Sequence, residues 1–248
     1  MNSILNTPAF DIIVKELDFP DIYQLYKVFG DVVVLSIRVN KLQYKMILWI
    51  LYDSTDEDAV DPEFCIKMIS VEIKINDNII YIPTSNSLIY QACRFDNYEK
   101  VIDALVEAGC DVNQQRRNGI IPLHISSERG NINTVKTLLK HGSNVNHRSL
   151  ITSCTPIFVA SYNGFVDIVQ LLLDNGADVN DCNIYRQSLL WVSCSEGYIK
   201  VVELLLAKGA IINMYDMLYL MSPIQIACYN GHSDIVKLLI KNGAKFDE

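Results

Sequence analysis

A mainly α-helical solenoid of about five stacked helix-turn-helix repeats is the fold class this chain predicts, and three observations predict it. One phrase recurs: Gly-Cys-Asp-Val-Asn at 109 to 113, Gly-Ser-Asn-Val-Asn at 142 to 146, Gly-Ala-Asp-Val-Asn at 176 to 180 and Gly-Ala-Ile-Ile-Asn at 209 to 213. Its glycines fall 33, 34 and 33 residues apart, and Gly243 follows 34 later. A period of that length marks units that cannot bury an apolar face alone and must stack. Helix start and stop signals repeat in register with the phrase, and the apolar residues between them keep helical spacing.

Residues 1–86 have a different grammar. Apolar residues at helical spacing predict helices over 10–17, 22–29 and 42–51, followed by an acidic break over 53–63. After it come Val71-Glu72-Ile73-Lys74-Ile75 and Ile79-Ile80-Tyr81-Ile82 around Asn76-Asp77-Asn78. Alternation on both sides of an Asn/Asp turn predicts a β-hairpin. This stretch is assigned as a small, mostly helical N-terminal region with a hairpin. Ile12, Ile13, Leu17, Ile22, Leu25 and Val28 read as the core of a cap, and Leu35 to Leu51 reads equally as a decayed repeat turning at Asn40-Lys41-Leu42.

Repeats are assigned to residues 87–119, 120–153, 154–186, 187–220 and 221–248. They open on Ile121-Pro122-Leu123-His124, Thr155-Pro156-Ile157-Phe158, Ser188-Leu189-Leu190-Trp191 and Ser222-Pro223-Ile224-Gln225. Ser and Thr accept a hydrogen bond from the first turn, and proline there gives up an amide that had no partner. Gly130, Gly164, Gly197 and Gly231 then supply the positive φ that ends a short first helix. The second helices carry Val135, Leu138 and Leu139; Ile168, Val169 and Leu171 to Leu173; Val201, Val202 and Leu204 to Leu206; Ile235, Val236 and Leu238 to Ile240. So wide an apolar face calls for a neighbour on both sides. The first unit, with Leu88-Ile89 for Pro-Leu and Asp96-Asn97 for the glycine turn, deviates as terminal repeats do. The last keeps an interior pattern at its outer face, which predicts fraying, docking on another chain, or a truncated array.

Composition narrows the function classes. The net charge is -8, with 7 basic and 13 acidic residues in 1–86 and 14 and 16 in 87–248, so no basic stripe points to nucleic acid or an anionic membrane. The apolar run from Met46 to Tyr52 is too short to span a bilayer, and Met1 to Phe10 lacks a basic segment followed by an apolar one. The expected location is cytoplasmic, with the nucleus as the alternative. Seven cysteines include no Cys-x-x-Cys pair, and Cys93, Cys194 and Cys228 share a repeat position with Ser127 and Ser161, which small-residue packing explains. His124 and His232 stand at regular repeat positions, and Asp178 and Asp181 fall in turns where capping and solvation suffice. There is no Gly-rich phosphate loop, Gly-x-Ser-x-Gly or His-Glu-x-x-His. No catalytic residue, metal ligand or cofactor is assigned.

At these residues the chain resembles the ankyrin repeat over roughly 87–248, with the Thr-Pro-Leu-His opening, the Val-Val-x-Leu-Leu-Leu helix and the Gly-Ala-Asp-Val-Asn close. The resemblance implies a protein-interaction scaffold that holds a partner through inter-repeat hairpins and the exposed ends of first helices. Carried onto this sequence, that rule points to Arg117, Asn118 and Ile120, Glu128 and Arg129, Tyr162 and Asn163, Ile184, Tyr185 and Gln187, Ser195 and Glu196, Leu218, Tyr219 and Met221, and Tyr229 and Asn230. Of these, Arg117, Arg129, Tyr162, Tyr185, Leu218, Tyr219, Met221 and Tyr229 are assigned as partner contacts. Tyrosine suits such a role because it offers a large rigid face with only two torsions to freeze. The run Met214 to Met221 places apolar residues where polar turn residues are usual and is the strongest single candidate, since an apolar tip in water is a liability unless covered. Arg116, Arg117, Arg148 and Arg186 suggest acidic groups on the partner.

Residues 8–29 are similar to an F-box through Pro8, Leu17 and Asp21-Ile22-x-x-Leu25-x-x-Val28. The first helix is about two residues short of that pattern, and its Lys-x-Trp is absent. This resemblance implies docking on the Skp adaptor of a cullin ubiquitin ligase, with the repeats selecting the substrate. It stands as the alternative to a simple scaffold.

Overall fold

The computed structural model describes residues 89–246, apart from residues 91, 95–97 and 108. The helices, hairpin and F-box-like segment expected within 1–86 lie outside the described residues. The chain divides into two compact units, Met1–Asp111 and Val112–Glu248. In the first, α1 (Glu99–Glu107) buries Val101, Ile102 and Leu105. A short helical turn precedes it, in which the Cys93 amide donates to the Ile89 carbonyl at 3.1 Å.

The second unit is built from four helix pairs: α2 (Pro122–Arg129) with α3 (Ile132–Lys140), α4 (Pro156–Tyr162) with α5 (Val166–Asp174), α6 (Leu189–Glu196) with α7 (Ile199–Ala207), and α8 (Pro223–Tyr229) with α9 (Ser233–Lys241). The first helices α2, α4, α6 and α8 pack in sequence as one layer, and α3, α5, α7 and α9 form the second. The core recurs at equivalent positions of the second helices: Val135 and Leu138, then Ile168, Val169 and Leu172, then Val201, Val202 and Leu205, then Ile235 and Leu239. Each such side chain contributes about 1.5–3 kcal/mol on leaving water. The remaining leucines of the apolar runs are half-buried and cover the flanks of the stack. Ile240 on the last pair is exposed.

The helix starts differ in chemistry while agreeing in place. Thr155 Oγ1 accepts the Phe158 amide at 3.3 Å and Ser188 Oγ the Trp191 amide at 3.1 Å. Ile121 has no acceptor to offer, and Nδ1 of His124 takes the Ile121 amide instead, at 3.3 Å. Because Nδ1 accepts, the ring proton sits on Nε2, which donates to the Cys154 carbonyl of the next unit at 3.0 Å. At Ser222 the hydroxyl makes no hydrogen bond, and the amide donates to Gln225 Oε1 at 2.8 Å.

The glycines between paired helices do more than permit positive φ. A Cβ on Gly130, Gly164 or Gly197 would lie 2.8 Å from Phe165, 2.7 Å from Tyr198 or 2.6 Å from His232, so the ring that opens α5, α7 or α9 lies directly on the bare glycine of the preceding unit. The recurring asparagine is the other lock. Asn113 Nδ2 donates to the Gly142 carbonyl at 3.1 Å while its Oδ1 accepts the Asn144 amide at 2.7 Å. Asn146 repeats this with Gly176 and Asp178, Asn180 Oδ1 accepts the Ile211 amide at 2.8 Å, and Asn213 Oδ1 accepts the Lys245 amide at 3.0 Å. An amide is suited to this task because one end donates and the other accepts.

Three sequence readings are corrected here. Asp181 is buried rather than solvated, because Arg148 Nη2 pairs with it from the preceding hairpin and Thr155 Oγ1 donates to its other oxygen. Burial pushes its carboxyl above the ordinary range, opposed by the Thr155 hydrogen bond and the Arg148 charge. Cys228 is exposed although Cys93 and Cys194 at the same repeat position are buried. Arg148 is held inward by Asp181 and by the Ser153 and Cys182 carbonyls, so its charge says nothing about a partner.

Candidate protein-interaction surface

Four hairpins join the repeats, and three of them are shaped by one polar side chain three residues after the recurring asparagine. Ser149 Oγ accepts the Cys154 amide at 3.1 Å, and Asn183 Oδ1 accepts those of Tyr185 and Gln187 at 3.0 and 3.1 Å. Asp216 does most: its buried carboxylate accepts the amides of Leu218, Tyr219 and Met221 at 2.9, 2.8 and 2.9 Å. Hydrogen bonds to a charged acceptor are the strong ones, so this tip is fixed. Successive tips are tied by backbone bonds from Leu150 to Asn118, Ile184 to Thr152 and Met217 to Tyr185, at 2.9, 3.1 and 2.7 Å.

Two residues before each first-helix cap the backbone turns left-handed. Gly119 stands there in one hairpin, but Ser153, Arg186 and Leu220 hold φ of +57°, +57° and +56° in the others. Such a conformation costs an ordinary residue about 1–2 kcal/mol. Leu220 bears that cost while 73% exposed, with Met217, Leu218 and Tyr219 exposed beside it. Leu150 and Ile151, 71% and 70% exposed, and Ile184 and Tyr185 extend the apolar ridge across the neighbouring tips. Leu150 and Ile151 were legible as two adjacent aliphatics in a turn, and the sequence reading passed over them.

Between the hairpins and the first helices runs a groove of about 560 Å³. Its floor is Phe158 and Trp191, with Val192 and Ile226 beside them, and its hairpin wall is Asn183, Gln187, Tyr219 and Met221. On the helix side Tyr162 and Tyr229 stand at the same repeat position as Ser195, whose small side chain leaves a gap between the two phenols. Trp191 takes the place of His124 and makes the same bond one hairpin on: Nε1 donates to the Met221 carbonyl at 2.9 Å. Its indole lies parallel to the Tyr219 ring, 6.2 Å between centroids.

Of the eight assigned contacts, Tyr162, Tyr219, Met221 and Tyr229 therefore come together around this groove. Met221 is half-buried, and its carbonyl rather than its side chain fixes the tip. Tyr185 and Leu218 stand on the ridge outside the lining, and Arg117 and Arg129 are exposed away from it. Trp191 and Asn183 belong to the groove and were missing from the carried-over positions, whereas Gln187, Ser195, Glu196 and Asn230 were among them.

The titratable groups near the hairpins are occupied with structure. Burial lowers the His124 pKa to about 4, so its imidazole stays neutral, and His147 meets it edge-on at 6.0 Å while bonding the Gly119 carbonyl through Nε2. Burial raises the thiol pKa of Cys154 and of Cys194, the opposite of an activated nucleophile. No cluster of His, Cys, Asp and Glu among the described residues could hold a metal ion. Nor is any helix among them long and apolar enough to cross a membrane.

A family model described as ankyrin repeats (3 copies) matches residues 89–183 and 179–248. Over 55 residues the chain is 46% identical to a protein named putative E3 ubiquitin-protein ligase XBAT34 of Arabidopsis thaliana, a match covering 21% of this chain and 15% of that protein. With paired helices, hairpins and recurring phrase in register along the second unit, the chain belongs to the ankyrin-repeat family.

Proposed function

We propose that the chain is a non-catalytic scaffold that binds a protein partner along the groove and the apolar hairpin ridge, with the repeats starting near residue 87 and residues 1–86 forming a separate region. The observation that carries this reading is the tip from Met217 to Leu220, held out in water by the Asp216 carboxylate and by a left-handed leucine. Rigid apolar side chains presented at a structural cost are what a protein interface uses and what a free surface avoids. A repeat array binds protein partners in general, and its constant frame leaves partner identity to these side chains. The free thiols among the described residues are what a reducing compartment maintains, which supports a cytoplasmic or nuclear setting.

The second reading is a substrate adaptor of a cullin ubiquitin ligase. It is supported by the Pro8, Leu17 and Asp21 to Val28 pattern, and the ligase name of the Arabidopsis relative is compatible with it. Affinity purification of the full chain beside a chain beginning at Ser87 separates the two. Skp and cullin subunits recovered with the full chain alone make it an adaptor. One shared partner recovered with both, and no ligase subunit, makes it a scaffold.

A further inference from the structure

The groove has a charge preference that the arginines of the hairpins conceal. Of its lining residues Glu196 is the one carboxylate, no Lys or Arg stands among them, and no ion pair among the described residues involves it. It sits at the end of α6, beside the gap that Ser195 leaves between Tyr162 and Tyr229. Asn230 is turned so that Nδ2 donates to the Ser195 carbonyl at 2.8 Å and to its hydroxyl at 3.2 Å, which leaves Oδ1 as an acceptor in the same lining. Asn183 and Gln187 opposite are neutral amides that bond to each other, Nδ2 to Oε1 at 2.7 Å. Arg148 on the preceding hairpin is paired with Asp181.

An unpaired carboxylate, an open acceptor and the faces of Trp191, Tyr219 and two further tyrosines form a set that attracts a cation and repels an anion. A carboxylate pairs with a guanidinium or ammonium, and aromatic faces hold such a group over the ring. Burying the carboxylate under a neutral or acidic segment would strand its charge. We propose that the groove takes an extended segment of a partner protein with an arginine or lysine opposite Glu196 and an apolar residue against Trp191 and Tyr219. This rests on the scaffold reading and adds the partner's sign of charge. Acidic groups on the partner, if present, would meet Arg117 or Arg129 outside the groove.

The test uses a displayed library of random 12-residue peptides selected against the full chain, followed by titration of individual enriched peptides. Glu196 is exposed, so Glu196→Gln should leave the thermal melt in place, and Tyr219→Ala serves as an independent probe of the groove. The expected result is enrichment of peptides with Arg or Lys, whose affinity drops at least fivefold with Glu196→Gln and weakens with added salt in the parent chain more than in that variant. Peptides that need Tyr219 but are neutral or acidic, or that ignore Glu196→Gln, overturn the charge assignment and leave the scaffold standing. If no enriched peptide depends on Tyr219 or Tyr229, the groove is not the docking site and both readings of it fall.

Discussion

The indole of Trp191 and the phenol of Tyr219 lie 4° from parallel, one from a first helix and the other from the next hairpin. Trp191 also donates from Nε1 to the Met221 carbonyl, so one side chain fixes both the backbone and the principal aromatic of that hairpin. Replacing Leu218 and Tyr219 together by Ser should therefore lower partner affinity tenfold or more, because interface aromatics carry a large share of binding. The helical signal should stay intact, since neither side chain is in the core. Titration calorimetry beside circular dichroism checks both; unchanged affinity or a lost helical signal would count against the hairpin as a contact.

Leu220 gives a prediction with opposed signs. Gly relieves the left-handed strain of about 1–2 kcal/mol but loses some 0.5–1 kcal/mol through the freer unfolded chain. Leu220→Gly should raise stability by about 0.5–1 kcal/mol and weaken partner binding at the same time. A denaturant melt and a binding titration on one sample decide it.

Asp216→Ala leaves the amides of Leu218, Tyr219 and Met221 without their acceptor. The expected loss is about 2–3 kcal/mol, with hydrogen exchange at those three amides rising first. Asp216→Asn, which keeps an acceptor oxygen without the charge, should fall between the two.

Asn146→Ala removes both bonds of one inter-repeat lock, to Gly176 and Asp178. These are exposed bonds, so a loss of about 1 kcal/mol is expected. Nearest-neighbour coupling predicts that hydrogen exchange quickens on both sides of that junction and little elsewhere.

The pH response follows from His124. Its pKa falls from 6.5 to about 4 in the fold, with burial as the main cause, so the folded chain binds that proton less readily than the unfolded one. Its stabilisation is complete above pH 6.5 and lost as pH falls toward 4, up to about 3 kcal/mol. His124→Gln, with the residue that Gln225 provides at the same repeat position, should be less sensitive across that window. Melts at pH 7, 5.5 and 4 on both chains measure the difference.

Helix order, glycine turns and the apolar tip were legible because each is a periodic signal or a break in one. Every Pro or Ser start and every glycine stop recurs near the same spacing, and Met214 to Met221 stands out against polar turns elsewhere. The groove was not legible, because it is assembled from Tyr162, Trp191, Ser195 and Tyr229, which meet only when first helices stack. The asparagine of the recurring phrase was seen as a marker, but its double bond to the next unit needs coordinates. Arg148 was misread for the same reason: its partner Asp181 lies a full repeat away, and a sequence does not show which charges have already met.

The chain contains two tryptophans, Trp49 and Trp191, and the second faces the groove with its ring against Tyr219 and its nitrogen on the hairpin backbone. Its ring is buried at the groove floor, so an occupant that covers that floor and shifts Tyr219 would change the surroundings of an intrinsic fluorophore. With Trp49→Phe to leave a single emitter, the colour and intensity of indole emission would track filling of the groove without any attached label. Ligand screening could then begin by light alone, before a partner has a name.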